Sequence, residues 1–240
     1  MMPFLSSIQI NTSNFDQEIF PYNIPAIKEN PHIILRRNVT FFVGENGAGK
    51  STVLEAIANK CGFNLQGGNR NHIYNIEEEQ QPLAKAMRLG WSTKTPYGFF
   101  MRAESYFNFA NYIDDMAEEF PSTLDAYGGK SLHHQSHGES FLSLFTHKFD
   151  DGIYLLDEPE AALSPQRQLS FLSIIHELEK LKIAQFIIAT HSPIILSYPG
   201  AEILDFDNQL KPIAYQDTDH FKTTKQFLNN PELYLRHLME

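Results

Sequence analysis

Hydrophobic residues of this chain fall into short runs, and longer amphipathic segments separate the later runs. Polar residues, glycine or proline bound each run, which is typical of β-strands. Strands that alternate with helices form parallel sheets. We therefore predict an α/β fold with an open, mainly parallel central sheet flanked by helices, and an antiparallel β portion at the N-terminus. The predicted strands are FLSSIQI at 4–10, HIIL at 32–35, NVTFFV at 38–43, YGFFMRA at 97–103, GIYLL at 152–156, AQFIIAT at 184–190 and AEILDF at 201–206.

Two longer segments place hydrophobic residues at helical spacing. The first, 105–120, stops at Pro121, and the second, 165–181, follows Ser164 as a helix N-cap. Both hydrophobic stripes predict surfaces that face the core. We expect a small helical subdomain at approximately 105–150. The stripes consist of Phe109, Tyr112, Ile113, Met116 and Phe120 in the first helix and of Phe171, Ile174, Ile175, Leu178 and Leu181 in the second.

Length and charge limit the classes of function. A chain of 240 residues predicts one domain over 1–240 with a substantial core. The formal net charge of −10 disfavours broad non-specific binding of nucleic acid, although a local basic patch would be hidden in that sum. The single cysteine excludes an intramolecular disulfide. The sequence shows no apolar run of the ~20 residues that a membrane span needs and no signal-peptide pattern at its start, so we expect a cytoplasmic location.

A glycine-rich turn connects the predicted strand at 38–43 to an amphipathic segment that ends at Gly62. The stretch GENGAGKS, 44–51, has the spacing of a phosphate-binding loop, in which backbone N–H groups surround phosphate oxygens and a lysine reaches the outer phosphates. A glycine turn without a ligand is the alternative. The flanking strand and helix favour a nucleoside triphosphate near Lys50 and Ser51.

Two adjacent acids end another apolar strand, in GIYLLDEPE at 152–160. Neighbouring side chains of a strand point to opposite faces, so Asp157 and Glu158 can take different roles at the edge where open α/β sheets bind ligands. We expect Asp157 to hold magnesium together with the Ser51 hydroxyl, and Glu158 to polarise the attacking water. Two acids that merely cap a strand are the alternative.

The strand AQFIIAT is followed by His191 and Ser192. A histidine at a strand end beside the γ-phosphate can donate a hydrogen bond to it and respond to its loss after hydrolysis. Taken alone, a histidine in such a position is more often structural. The order of the three segments along the chain favours the functional interpretation.

The stretch HHQSHGES, 133–140, precedes an amphipathic helix, so Ser136 and Gly138 are expected at a helix N-terminus, which attracts anions. A zinc site is the alternative, because imidazoles at such spacing can share one helix face. The lack of a nearby cysteine and the position before the helix disfavour zinc. The histidines concerned are His133, His134 and His137.

These motifs resemble those of ABC-class P-loop ATPases, and within that class the small soluble predicted ATPases of the AAA family related to RecF-like and OLD-like proteins. GENGAGKST matches the Walker A motif, SHGES the signature, IYLLDEPE the Walker B motif, AALSPQRQ the D-loop and ATHSP the switch histidine region, in the family's order. The resemblance covers most of the chain. It implies ATP and Mg²⁺ as cofactors, ATP hydrolysis, and a head-to-tail homodimer that encloses two nucleotides when ATP binds.

The resemblance also implies roles for matching residues. Lys50 binds phosphate and acts in hydrolysis together with Glu158, the general base, and His191, which senses the γ-phosphate. Ser51 and Asp157 hold the magnesium ion. The nucleotide-binding residues of the Walker A motif are Gly44, Glu45, Asn46, Gly47, Ala48, Gly49, Lys50, Ser51 and Thr52.

The signature motif is implied to act across the dimer. Ser136 and Gly138 would contact ATP bound to the other subunit, and Glu139 is assigned to the same nucleotide site. Transporter subunits usually carry a second glycine and a glutamine where this chain has His137 and Ser140. The contacts across the dimer are therefore less closely matched than those of the Walker motifs.

One further position departs from the family pattern. Where the family often has a glutamine after an intermediate strand, this chain reads GFFMRAES, and Glu104 takes that place as a third magnesium ligand. The alternative is an acid that pairs with Arg102 or another surface base. Tyr22 and Phe20 are candidates for stacking on adenine, although a role in the core explains them equally well.

Three roles agree with these motifs. The first is an ATP-dependent dimer switch that acts with a partner in DNA repair, nucleic-acid surveillance or bacterial defence, a branch that DEPEAALSPQ and THSP resemble. The second is the nucleotide-binding subunit of an ABC transporter, and the third is a nucleotide-gated scaffold with negligible hydrolysis. We favour the ATP-dependent dimer switch. The acidic net charge favours a protein partner, or a small basic groove that binds nucleic acid.

Overall fold

The computed structural model describes residues 3–70, 81–127, 129–131, 137–148 and 151–239. These residues form an α/β fold with two sheets, and the central sheet is covered by helices. The strands are β1 (Leu5–Ile10), β2 (His32–Ile34), β3 (Val39–Val43), β4 (Met87–Trp91), β5 (Gly98–Arg102), β6 (Gly152–Asp157), β7 (Ala184–Ala189), β8 (Glu202–Asp205) and β9 (Lys211–Pro212).

The central sheet has the strand order β5-β6-β7-β3-β8-β9. Its neighbouring strands are parallel, except that β9 runs antiparallel to β8. Strands β3, β6 and β7 are buried along their full length, as expected for parallel strands covered on both faces. The predicted mainly parallel sheet is confirmed, and the carboxyl ends of its parallel strands lie at one edge.

A smaller antiparallel sheet has β1 between β2 and β4. The buried side chain of Gln185 in β7 joins the two sheets, because it accepts a hydrogen bond from the Leu5 N–H at 2.8 Å and donates one to the Leu5 carbonyl at 2.9 Å. The predicted antiparallel portion is confirmed. Its third strand, β4, was not predicted, because most of MRLGW is only half-buried and the apolar pattern is weak.

Helices lie on both faces of the central sheet, where they complete two separate cores. Phe42 and Ile187 face the core shared with the antiparallel sheet, whereas their neighbours Phe41 and Ile188 face the other core. This division follows from the two-residue period of a strand. The helices are α1 (Pro25–Glu29), α2 (Lys50–Cys61), α3 (Pro82–Ala86), α4 (Tyr106–Glu119), α5 (His137–Lys148), α6 (Pro165–Leu181), α7 (Pro193–Leu196), α8 (Asp219–Asn229) and α9 (Pro231–Met239).

The two predicted amphipathic helices are confirmed as α4 and α6, and the centre of each hydrophobic stripe is buried. The stripes do not extend to the helix ends, since Phe120 is 52% exposed and Leu181 is 64% exposed. Phe120 is the C-cap residue that follows α4, and Leu181 is the last residue of α6. A subdomain at approximately 105–150 stays a prediction. In the described ranges, the helices are too short or too polar to cross a membrane.

Candidate functional site

The predicted phosphate-binding loop connects β3 to α2 at the carboxyl edge of the central sheet. Its turns use positive φ angles of 84° at Gly47 and 101° at Gly49. A β-carbon at Gly49 would lie 2.7 Å from Cγ2 of Ile24, closer than side chains approach one another. Glycine therefore allows both the turn and the contact with Ile24. Of the other loop residues, Gly44 is buried, Ala48 is half-buried, and Glu45 and Asn46 are exposed.

Lys50 begins α2 and folds its side chain back over the loop. Its buried ammonium donates hydrogen bonds to the carbonyl oxygens of Gly44 at 2.6 Å and Glu45 at 2.9 Å. Burial lowers the pKa of Lys50, and surrounding carboxylates, with Glu158 the strongest, act in the opposite direction. The lysine thus lies where a phosphate-binding loop needs a cation. Thr52, also predicted to bind phosphate, is half-buried in the first turn of α2.

Asp157 ends β6 and contacts the start of α2. The Ser51 hydroxyl donates a hydrogen bond to Asp157 Oδ1 at 3.1 Å. Burial raises the pKa of Asp157 to about 6, although the Ser51 hydrogen bond and the Arg102 charge both lower it. A hydroxyl and a carboxylate are oxygen ligands of the kind that Mg²⁺ accepts, so the pair fits that ion. Its role in metal binding stays a prediction.

Arg102 ends β5 and lies opposite Asp157 in the strand register. Its guanidinium contacts three carboxylates: Glu55 at 2.8 Å, Glu104 at 3.5 Å and Asp157 at 3.8 Å. The Glu104 side chain is 85% exposed, and its contact with Arg102 is the pairing considered as the alternative to a metal ligand. Arg102 therefore links α2 to the end of β6, and the assignment of Glu104 to magnesium stays a prediction.

Glu158 and His191 follow the ends of neighbouring strands. Glu158 has a left-handed backbone conformation, φ 49° and ψ 51°, and its N–H donates to the Ala189 carbonyl at 2.9 Å. This geometry places Oε1 of Glu158 3.5 Å from Nε2 of His191. Burial lowers the pKa of His191, and the Lys50 charge and His220 lower it further. The structure thus brings the predicted general base and the predicted phosphate sensor together.

A set of side-chain hydrogen bonds holds the loop that carries His191. The buried carboxylate of Glu160 accepts from the Thr190 hydroxyl at 2.8 Å and from the His191 N–H at 2.6 Å. Burial raises the pKa of Glu160, and these hydrogen bonds oppose the rise. On its other side, Nδ1 of His191 lies 2.7 Å from Nε2 of His220, in the first turn of α8. We call residues 190–192, Glu158, Glu160 and His220 the switch corner.

Ser192 completes the switch corner by capping α7. Its hydroxyl oxygen accepts from the N–H groups of Ile194 at 3.1 Å and Ile195 at 3.2 Å, and the hydroxyl donates to Gln168 Oε1 at 2.5 Å. Ser192 and Gln168 are both buried. The loop after β7 is therefore fixed to α6 as well as to Glu160.

The predicted signature residues lie partly outside the described part of the chain. Gly138 and Glu139 are in the first turn of α5, and Glu139 forms an ion pair with Arg167 of α6 at 3.1 Å. Ser136 lies outside the described residues, as do His133 and His134 of the zinc alternative, and the His137 side chain is likewise not described. Among the described residues, no cluster of acidic, cysteine or histidine side chains is arranged to hold a metal. The roles of the signature residues stay predictions.

The two aromatic candidates for adenine stacking differ in exposure. Tyr22 is buried, stacks on Phe15 with ring centroids 4.5 Å apart, and donates its hydroxyl to the Pro82 carbonyl at 3.1 Å. Phe20 is 63% exposed. Tyr22 thus has a packing role, and stacking on adenine stays a prediction for either residue.

Sequence reasoning did not assign several residues that line this edge. Glu160 lies two residues after Glu158, so the DEPE stretch contained a signal for it. Asp207, which follows β8, accepts a hydrogen bond from the Glu45 N–H of the phosphate loop at 2.6 Å. His220 reaches the switch corner from α8. No local pattern marks Asp207 or His220, because each meets its partner only after the chain folds.

Two family models match the sequence. A model described as "AAA domain" matches residues 18–94, and a model described as "AAA domain, putative AbiEii toxin, Type IV TA system" matches residues 131–197. The first range includes the phosphate loop, and the second includes both predicted acids and His191. No curated protein matches the sequence.

Several solved structures are similar to this chain. One is cbiO1 from Clostridium perfringens, which is part of the ABC transporter complex cbiONQ. It is 17% identical, the match covers 98% of this chain and 99% of that chain, and the TM-score is 0.47. The SMC head domain from Thermotoga maritima is 17% identical, with 89% and 100% of the two chains covered and a TM-score of 0.45. An ATP-binding cassette of an ABC transporter, MJ1267, is 16% identical, with 89% and 91% covered and a TM-score of 0.49. The loop, the strand order and the paired acids agree with the AAA-domain matches, and together they support a P-loop ATPase, as the resemblance of the motifs implies.

Proposed function

We propose that this protein binds ATP with Mg²⁺ and hydrolyses it. The observation that carries the proposal is the 3.1 Å hydrogen bond between the Ser51 hydroxyl and the Asp157 carboxylate. It joins the helix after the phosphate loop to the strand that carries the paired acids. One residue farther along the chain, Glu158 has a half-exposed carboxylate, which solvent can reach.

Each residue at this edge has a task that follows from its chemistry. The Lys50 ammonium neutralises phosphate charge, and the backbone of the loop binds phosphate oxygens. Glu158 orients a water molecule for attack and accepts its proton, while Nε2 of His191 donates a hydrogen bond toward the terminal phosphate. The magnesium ion, when held by Ser51 and Asp157, supplies charge stabilisation at the phosphates.

The ATP-bound state that we propose is a head-to-tail homodimer. Gly138 and Glu139 lie in the first turn of α5, whose N–H groups carry a positive partial charge that favours contact with an anion. In the dimer, this turn and Ser136 of each subunit contact the nucleotide held by the phosphate loop of the other. Hydrolysis removes that shared ligand, and the dimer then opens.

The role that we propose for this cycle is a switch that acts with a protein partner in bacterial defence, DNA repair or nucleic-acid surveillance. The description of the family model that matches residues 131–197 names an AbiEii toxin and a type IV TA system, which favours defence among these roles. The net charge of −10 favours a protein partner over an extended nucleic-acid surface.

ATP turnover is the first test of the proposal. Wild type should release phosphate from ATP in the presence of Mg²⁺, and Glu158→Gln should lower kcat by at least about 100-fold while it leaves ATP affinity within about threefold. Glu177→Gln, on the exposed surface of α6, is the matched control and should keep full turnover. Equal turnover by wild type and Glu158→Gln would overturn the assigned base, and lack of turnover by wild type would favour a nucleotide-gated scaffold.

The dimer requires a separate measurement. The mass of Glu158→Gln in solution should double when ATP and Mg²⁺ are added, because the slowed hydrolysis keeps the shared ligand in place. Adding Ser136→Arg should abolish the doubling without loss of ATP binding. A mass that stays monomeric with ATP bound would refute the homodimer, and specific copurification with a multi-span membrane protein would favour a transporter subunit instead.

A further inference from the structure

The structure assigns a positioning role to His220, which no motif of the sequence includes and which lies outside both ranges matched by family models. We infer that the Nε2–H of His220 donates a hydrogen bond to Nδ1 of His191 and so keeps the His191 proton on Nε2, facing Glu158. The inference rests on the proposed function, because it explains how His191 stays a donor toward the terminal phosphate.

The contact between the two imidazoles is a direct hydrogen bond. Nδ1 of His191 and Nε2 of His220 are 2.7 Å apart, and the ring planes meet at 53° with centroids 4.9 Å apart. Only one proton can lie between two ring nitrogens at this distance. If that proton belongs to His220, then His191 carries its own proton on Nε2. If it belongs to His191, then Nε2 of neutral His191 is an acceptor and cannot donate to phosphate.

The surroundings of His191 decide between these two tautomers. Its Nε2 lies 3.5 Å from the Glu158 carboxylate, which can only accept a hydrogen bond when ionised. The Nε2–H tautomer turns a donor toward that carboxylate, whereas the other tautomer turns a lone pair toward it. Since Nδ1 of His191 then has no proton, His220 must be the donor in the 2.7 Å contact.

Burial favours two neutral rings, and the charged groups around the pair act in both directions. Both rings lie near two charged groups, Glu45 of the phosphate loop and Lys50 of α2. His220 also lies near Asp207, which follows β8, and near its neighbour Asp219. Burial lowers the pKa of both histidines, and the Lys50 charge lowers it further, while these carboxylates act in the opposite direction. A neutral pair needs its tautomers set by hydrogen bonds, which is the role that we assign to His220.

The start of α8, which carries His220, is attached to the chain just after His191. Thr218 caps α8, because its hydroxyl oxygen accepts from the Phe221 N–H at 3.3 Å and the hydroxyl donates to the Tyr215 carbonyl at 2.8 Å. The Tyr215 hydroxyl donates to the Pro193 carbonyl at 2.9 Å, two residues after His191. The start of α8 is thus attached to Pro193, the residue after the switch corner, by bonds that do not involve His220. Substitutions of His220 can therefore leave the helix in position.

The direct test is the protonation of His191 in the nucleotide-free protein. A long-range ¹H–¹⁵N correlation spectrum of the imidazoles, assigned with a His191→Gln sample, should show a proton on Nε2 and none on Nδ1. In His220→Leu the two tautomers of His191 should mix. A wild-type His191 with its proton on Nδ1 would overturn the inference, as would a His191 tautomer that is unchanged in His220→Leu.

Turnover provides a second readout with a conservative rescue. His220→Leu should lower kcat about tenfold with ATP affinity within about twofold, as expected for loss of an outer hydrogen-bond partner. His220→Gln, whose amide Nε2–H can donate from a similar position, should recover kcat to within about threefold of wild type. Equal kcat for the Leu and Gln variants would contradict the inference. His176→Leu, on the exposed surface of α6, is the control for loss of an imidazole.

The two readouts separate this inference from the proposed function. Wild type could lack ATPase activity while His191 carries its proton on Nε2 in wild type and loses this preference in His220→Leu. The proposed function would then fail, and the positioning role would stand. If ATP is hydrolysed but His191 carries its proton on Nδ1, then the inference fails and the proposed function stands.

Discussion

The phosphate loop and the switch corner lie at the same edge of the central sheet, but different parts of the chain hold them in shape. The loop is held mainly by contacts within its own segment, where Lys50 donates to carbonyl oxygens five and six residues before it, and the Asp207 side chain adds a contact from outside. The switch corner is held by side chains from separate elements, including Glu160 before α6, Gln168 within α6 and His220 in α8. We therefore expect an added β-carbon to disturb the conformation of the loop more than that of the switch corner. Loss of a polar side chain should disturb the switch corner more than the loop.

Gly49→Ala should have the largest effect, because it breaks the loop at its backbone. The new β-carbon would combine a φ of 101° with a 2.7 Å approach to Ile24. We expect ATP affinity, measured by calorimetric titration, to fall about 100-fold, which corresponds to ~3 kcal/mol.

Gly47→Ala is the matched control for this loop substitution. Gly47 also has positive φ, 84°, but an added β-carbon meets no atom within 4 Å, so the loss of affinity should be about tenfold or less. Combining Gly49→Ala with Ile24→Ala should recover part of the lost affinity. Equal losses of ATP affinity in the two variants would show that backbone strain causes the loss and that the steric contact with Ile24 does not contribute.

Asp157→Asn should stabilise the nucleotide-free protein in a pH-dependent way. Burial raises the pKa of Asp157 from 3.8 to about 6, so its favourable contribution to folding is complete below pH 3.8 and is lost as the pH rises through 6. Above that range the ionised carboxylate opposes folding, and the asparagine removes this cost. We expect a gain of about 2–3 kcal/mol at pH 8 and little gain at pH 4.

Thermal unfolding of both proteins without nucleotide or Mg²⁺ measures this gain, which should raise Tm by roughly 6 °C at pH 8. Asp125→Asn, an exposed substitution of the same kind, should leave Tm unchanged at both pH values. A gain for Asp157→Asn that is equal at pH 4 and pH 8 would rule out relief of a buried charge as its cause.

Ser192→Ala tests the side-chain construction of the switch corner. It leaves the N–H groups of Ile194 and Ile195 without their cap and Gln168 Oε1 without its donor. Denaturant unfolding should show a loss of about 1–2 kcal/mol, with ATP affinity within about threefold. Ser197→Ala removes an exposed hydroxyl that donates to the Ile194 carbonyl, and should cost less than about 0.5 kcal/mol. A larger effect on affinity than on stability would show that the two regions are not independent.

The smallest expected effect comes from the backbone of Glu158, the one place where the switch corner resembles the loop. Its φ of 49° is unfavourable for a residue with a β-carbon. Glu158→Gly should therefore be more stable than Glu158→Ala by ~1 kcal/mol in denaturant unfolding, although both lack the carboxylate and should lack turnover. Equal stability of the two variants would mean that the left-handed conformation carries no cost here.

The same contrast explains how much the sequence could predict. The phosphate loop is encoded in consecutive residues, and apolar strands such as FFV and YLL place it and the paired acids at one sheet edge. The strand β4 and the helix α8 have weak or unrelated patterns, so neither the third strand of the small sheet nor the partner of His191 could be anticipated. Their positions depend on contacts between residues far apart in sequence, such as the 2.7 Å contact across 29 positions.

The position of His220 also sets a limit on truncation. A fragment that ends with β9 at Pro212 would keep the phosphate loop, the paired acids and His191, together with all nine strands given above. It would lack the hydrogen-bond partner of His191 and the capped start of α8. If the domain boundary were placed at the end of the sheet, the fragment would thus contain the phosphate loop and the paired acids, but the His191 ring would lack its hydrogen bond to His220.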